Sequence, residues 1–103
     1  MKNTIKKIVS YAILVTEPEE IILFGSMVNG TANVYSDVDL LIITESRINK
    51  KEAVSKIKSH VNQYALKTDV LIYSKSEFEK ELSISNSFLQ AVQKSGKIVY
   101  KKQ

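Results

Sequence analysis

Residues 23–43 read LFGSMVNGTANVYSDVDLLII, and in them Asp37 and Asp39 stand one residue apart at the mouth of an apolar run, a short distance after Gly25 and Ser26. Side chains in a strand alternate, so the two aspartates point to one face and sit roughly 7 Å apart along the chain, close enough for both carboxylates to reach a common ion. Carboxylates so placed repel, and desolvating either without a partner is costly, so a positive group belongs between them. The chain has no cysteine and its one histidine, His60, is distant in sequence. An oxygen-only site favours Mg²⁺ or Mn²⁺, and Mg²⁺ held by one or two carboxylates normally completes its shell with phosphate oxygens. The ion therefore implies a nucleotide.

The residues just upstream suit that ligand. Gly25 and Ser26 close the short apolar stretch IILF, where a following short helix would present free N–H groups and the positive end of its dipole to a phosphate. Gly25 lets the main chain approach the ligand, the Ser26 hydroxyl can donate to a phosphate oxygen, and Gly30 permits the turn out of that helix.

The elements that must position these groups can be read from periodicity. Ile5, Ile8, Val9, Ala12 and Ile13 follow helical spacing and form one apolar stripe, with Pro18 stopping the helix. IILF (21–24) reads as a buried strand, and the chain is strand-like again from Asp37 to Thr44. Beyond Asp39 it is apolar at both parities, the pattern of a strand covered on both faces. A second helix is expected over Asn49 to Ala65, with Ala53, Ile57, Val61, Tyr64 and Ala65 inward. DVLIY (69–73) is a third strand. Ser76 and Glu79 have capping-box spacing for a short helix, Asn86 is a candidate cap for another in which Phe88, Leu89 and Val92 pack, and Gly96 can end it before a final strand, KIVY. The order α-β-(α)-β-α-β-α-α-β describes a mixed sheet with helices packed on it, α/β or α+β in class, as one domain over residues 1–103.

Composition bounds the function classes. With 44% apolar and 25% charged residues the chain is globular rather than disordered or fibrous. Its apolar runs fall far short of the roughly 20 residues that span a bilayer, and the lysine-bearing N-terminal helix has no small-residue cleavage site, so a cytoplasmic protein is expected. The absence of cysteine rules out disulfides and thiolate metal sites. The net charge of +4 is nearly all lysine, Arg47 being the only arginine, and it forms no dense cluster, so no direct nucleic-acid partner is expected.

The segment GSMVNGTANVYSDVDL resembles the signature of the DNA polymerase β-like nucleotidyltransferase superfamily, Gly-Ser followed about ten residues later by Asp-x-Asp, and the chain is similar in length to its minimal nucleotidyltransferase (MNT) branch. The likeness runs from the helix before LFGS to the closing GKIVY, and it implies the polymerase β-like nucleotidyltransferase fold. It also implies a third carboxylate from a later strand, for which Asp69 in KTDVLIY is the candidate. By the same resemblance, two Mg²⁺ ions (or Mn²⁺) would be bound by Asp37, Asp39 and Asp69, and AMP would pass from ATP to a hydroxyl with pyrophosphate leaving. Gly25 and Ser26 would hold the β- and γ-phosphates, and Asp69 would draw the acceptor proton. Many MNT members read Gly-Ser-Arg-x-Arg-Gly; here Met27 and Asn29 take the arginine positions, and a lysine's point charge does not reproduce the bidentate fork.

Within this branch the resemblance points to the antitoxin of a two-gene toxin–antitoxin pair, whose partner is a HEPN-domain ribonuclease toxin silenced by AMP on a tyrosine. A non-catalytic antitoxin that acts by covering its partner is the second reading, motivated by Met27 and Asn29. A nucleotidyltransferase acting on a small alcohol such as an aminoglycoside is the third, against which the short chain argues. The acceptor, the base preference and self-association stay open. Other reactive residues have simpler roles: His60 packs at the edge of the second helix, Tyr35 covers apolar surface, Ser36 caps or turns the chain before Asp37, and Lys67 is a surface lysine near Asp69 that could also meet a phosphate.

Overall fold

A computed structural model describes residues 3–25, 38–84 and 87–103. Helix α1 (Asn3–Thr16) leads into strand β1 (Glu20–Phe24), which pairs antiparallel with β2 (Val38–Ile43). Helix α2 (Lys50–Asn62) then crosses to β3 (Thr68–Tyr73), parallel to β2, and α3 (Lys75–Leu82) and α4 (Phe88–Ser95) lead to β4 (Lys97–Lys101), antiparallel to β1. The sheet order is β3-β2-β1-β4, so β1 and β2 are central.

That order explains the apolar run of β2. Its alternate residues Val38, Leu40 and Ile42 join Ile8 and Val9 of α1 and Ile57 and Val61 of α2 in one core. Leu41 and Ile43 join Phe78 of α3 and Leu89 and Val92 of α4 in a second. Leu40, Leu41 and Ile42 are three consecutive residues with 0% exposure, which only a strand roofed on both faces achieves. Asp39 is the one position of β2 that is not fully buried. Among the described residues no helix is long and apolar enough to cross a membrane.

The end of α1 is tied to the far end of β2. Glu17 takes a left-handed conformation (φ 45°) with its N–H donating to the Ile13 carbonyl, and the buried Pro18 follows, so the helix cannot continue. The buried Thr44 hydroxyl donates to the Thr16 carbonyl at 2.8 Å, satisfying an acceptor the helix end leaves open.

Several local expectations shift. Helix α2 starts after its N-cap Asn49, near the expected start, but ends at Asn62; Tyr64 packs on the core as expected, whereas Ala65 turns left-handed (φ 58°) and is exposed, and Leu66 packs on the core in its place. The capping box of α3 is Ser74 with Glu77, not Ser76 with Glu79. Both pairs have the right spacing, and tertiary partners choose between them: Glu77 meets Lys50 at 2.8 Å, and the Lys75 N–H donates to a Glu45 carboxylate oxygen at 2.7 Å. Asn86 lies outside the described residues, and the N-cap of α4 is Ser87, whose hydroxyl accepts from the Gln90 N–H. Leu89 and Val92 pack as expected, but Phe88 is 52% exposed.

Gly96 ends α4 in an extended conformation rather than a left-handed one. A Cβ there would lie 2.5 Å from the Val92 carbonyl oxygen and 2.7 Å from Ile22 Cγ2, so close packing of the helix end on β1 is what requires glycine.

Candidate active site

The parallel register of β2 and β3 sets Asp39 directly beside Asp69. Adjacent strands lie about 4.8 Å apart and register partners point to the same face, so the two carboxylates stand as neighbours on the side that carries α3 and α4. Their alignment is anchored one residue earlier, where the Val38 N–H donates to the Lys67 carbonyl at 2.8 Å and the Thr68 hydroxyl donates to the Val38 carbonyl. Asp69 is exposed at the rim, whereas Asp39 is half-buried.

Gly25 closes against Asp39. It follows Phe24, the register partner of Asp39 on the other side, and has φ 85°, a left-handed conformation that disfavours any residue with a side chain. A Cβ built on Gly25 would stand 2.2 Å from Asp39 Oδ2 and 3.2 Å from its Cγ. The glycine of the Gly-Ser pair and the second aspartate of the Asp-x-Asp pair are thus in direct contact. The main chain needs glycine twice over, once for its own dihedral and once to leave room for the carboxylate.

Gly25, Asp39 and Asp69 are therefore brought together, as the sequence reading expects. Asp37, Ser26 and Gly30 lie outside the described residues, as do Met27, Asn29, Tyr35, Ser36 and the short helix expected after Ser26. Among the described residues this end of the sheet offers two carboxylates and no imidazole. His60 is on α2, its ring stacked on Tyr11 with centroids 4.2 Å apart and edge-on to Tyr64, so it is an edge-packed residue as expected. Lys67 is exposed at the head of β3. A donor set of carboxylate oxygens, beside a glycine that keeps the approach open, fits a hard divalent cation such as Mg²⁺ or Mn²⁺.

The sequence reading missed an aromatic pair at the same end. Phe24 extends the row Asp69–Asp39 by one strand on the same face, and the ring of Phe88 meets it with centroids 5.7 Å apart at 81°. The sequence signal for Phe24 is its place just before the glycine, whereas Phe88, expected to pack with Leu89 and Val92, is half exposed.

Residues 2–95 match the profile of a family described as a nucleotidyltransferase domain. MJ0141 of Methanocaldococcus jannaschii, which bears the name of a protein adenylyltransferase, is 36% identical over 84 residues, 82% of this chain and 81% of that one. Among solved structures, a toxin–antitoxin complex with AMP-PNP matches with a TM-score of 0.64 at 20% identity over 98% of this chain and 73% of its own. A mutant form of the MntA–HpeT toxin–antitoxin gives 0.66 at 17% identity, over 99% and 75%. A nucleotidyltransferase structure from Sulfolobus solfataricus gives 0.53 at 20%, over 96% and 78%. At these identities the structural likenesses speak for the fold, which is the polymerase β-like one.

Proposed function

Because the chain belongs to the nucleotidyltransferase domain family, we propose that it transfers AMP from ATP to a hydroxyl group, with Mg²⁺ held by Asp37, Asp39 and Asp69. The observation that carries this reading is the lateral pairing of Asp39 with Asp69 beside a glycine whose absent side chain leaves space for the Asp39 carboxylate. Two negative groups are lined up on neighbouring strands at an open rim, an arrangement that favours binding a cation over stabilising the fold.

In the proposed reaction the acceptor oxygen bonds to the α-phosphorus of ATP, the bond from that phosphorus to the bridging oxygen breaks, and pyrophosphate leaves with the electron pair. Divalent ions, when bound, supply charge neutralisation at the attacking and leaving oxygens. In this reading Asp39, packed close to Gly25, holds the ion with its carboxylate. In the same reading Asp69, which is exposed at the rim, takes the hydroxyl proton on a carboxylate oxygen. The backbone at Gly25 and the Ser26 hydroxyl would hold the β- and γ-phosphates.

The acceptor in this reading is a tyrosine of a partner protein, a HEPN-domain toxin that the chain neutralises as its antitoxin. Support comes from the relative named as a protein adenylyltransferase and from toxin–antitoxin complexes among the structures of the same fold. The test is incubation with labelled ATP, Mg²⁺ and the product of the adjacent gene, followed by mass spectrometry. AMP on a partner tyrosine, abolished by Asp69→Asn, is the expected result. An unmodified partner that stays neutralised by the Asp69→Asn protein would sink the catalytic reading and assign protection to binding alone, the arrangement that Met27 and Asn29 suit.

A further inference from the structure

Among the described residues, the outer ring of the aromatic pair at the carboxylate end of the sheet is not part of the buried core. Phe88 is the first residue of α4, and the helix is seated by Leu89 and Val92, which are 0% and 4% exposed. Phe88 points elsewhere and leaves half its surface in solvent, yet its ring is not loose, being set edge-on to Phe24 at 81°. Two rings near a right angle form an apolar corner with one wall open. Phe24, its floor, is the register partner of Asp39 and shares its face. One strand spacing of about 4.8 Å and the 5.7 Å between the rings together keep the Phe88 ring within roughly 10 Å of Asp39.

We propose that Phe88, set against Phe24, is the platform on which the nucleobase of the substrate nucleotide stacks. The inference rests on the nucleotide-binding reading above. Phe24 and Gly25 are consecutive, so the apolar corner and the proposed phosphate contact belong to one cleft that a single nucleotide can fill, with the ribose and α-phosphate spanning between the base and the β- and γ-phosphates. The chemistry divides the same way: the charged end of a nucleotide requires the cation and the glycine backbone, and its flat, weakly hydrated end requires an aromatic face. Stacking tolerates any base because every base has a π-face. The platform therefore adds affinity for nucleoside triphosphates in general.

The test is calorimetric binding in Mg²⁺ of two probes, a non-hydrolysable ATP analogue and inorganic tripolyphosphate, to the wild-type protein, Phe88→Ala and Phe88→Tyr. The expected result is an affinity for the ATP analogue about ten-fold weaker in Phe88→Ala, near wild-type in Phe88→Tyr, and unchanged tripolyphosphate binding in all three. Equal losses for both probes would make Phe88 a structural residue and overturn the proposal. So would no loss for either, or intact nucleotide affinity with impaired AMP transfer, which places the ring on the acceptor side. Wild-type protein that binds tripolyphosphate as tightly as the analogue removes the platform and leaves the phosphate site standing; wild-type protein that binds neither removes both.

Discussion

Replacing Gly25 by alanine tests the contact on which the site depends. The new Cβ meets Asp39 Oδ2 at 2.2 Å, and relaxing that contact to an ordinary 3.4 Å displaces the carboxylate, the β1 end or both by about 1.2 Å. At φ 85° a side chain adds roughly 1–2 kcal/mol of backbone strain, which in a domain of this size lowers Tm by about 4–8 °C per kcal/mol. A displacement of about 1 Å in a positioned group costs on the order of 10²-fold in rate. The expected Gly25→Ala protein is folded at low temperature, less stable, weaker for Mn²⁺, and at least about ten-fold slower in AMP transfer. Mn²⁺ affinity is read by electron paramagnetic resonance and folding by circular dichroism, both well below Tm. Gly96→Ala is the control, because its Cβ collides with Val92 and Ile22 within the core and touches neither carboxylate. It is expected to lose stability and keep its Mn²⁺ affinity. Wild-type Mn²⁺ affinity and transfer rate in Gly25→Ala, or equal Mn²⁺ losses in the two variants, would refute the argument that Gly25 makes room for a working carboxylate.

Asp69→Asn removes one of two like charges on neighbouring strands, so in the presence of a chelator its Tm should equal or exceed that of the wild type, and added Mg²⁺ should stabilise only the wild type; a lower Tm in chelator contradicts the pairing. Thr44→Val deletes the buried hydroxyl that donates to the Thr16 carbonyl and should cost about 1–3 kcal/mol in urea unfolding; a loss below a few tenths would show that the bond does not hold α1 to β2. The Lys50 ammonium, then the Ser74 backbone N–H and hydroxyl, hold the Glu77 carboxyl down at about 2 from 4.5. A depressed carboxyl stabilises the fold above its unfolded value, and that contribution fades as pH falls from 4.5 through about 2. Glu77→Gln should therefore lower Tm at pH 7, by less in high salt because the pair is exposed, and the difference should close in acid; a gap that persists at the lowest pH would count against the ion pair.

Much of this protein is written locally. The apolar stripe of α1, the two-sided burial of β2 and the strand at Asp69 follow from the period of hydrophobic residues, because a side chain's direction is set by its own backbone geometry. The Gly-Ser and Asp-x-Asp spacing pointed to nucleotidyl transfer before any fold was in view, and the family match agrees with that class of chemistry. Where two local solutions were equally good, the sequence alone could not choose: Ser74–Glu77 and Ser76–Glu79 have the same spacing, and Lys50, about a quarter of the chain away, decided between them. Ala65 and Phe88 fit a helical pattern yet face outward, because a left-handed turn and the seating of Leu89 and Val92 reoriented them. The family resemblance already paired Asp69 with Asp39, but the register that sets them side by side on adjacent strands, and the contact that requires Gly25 to lack a side chain, belong to tertiary structure alone. Strand order and register are settled by packing energies summed over the sheet and both helical layers, and no window of residues along the chain contains that sum.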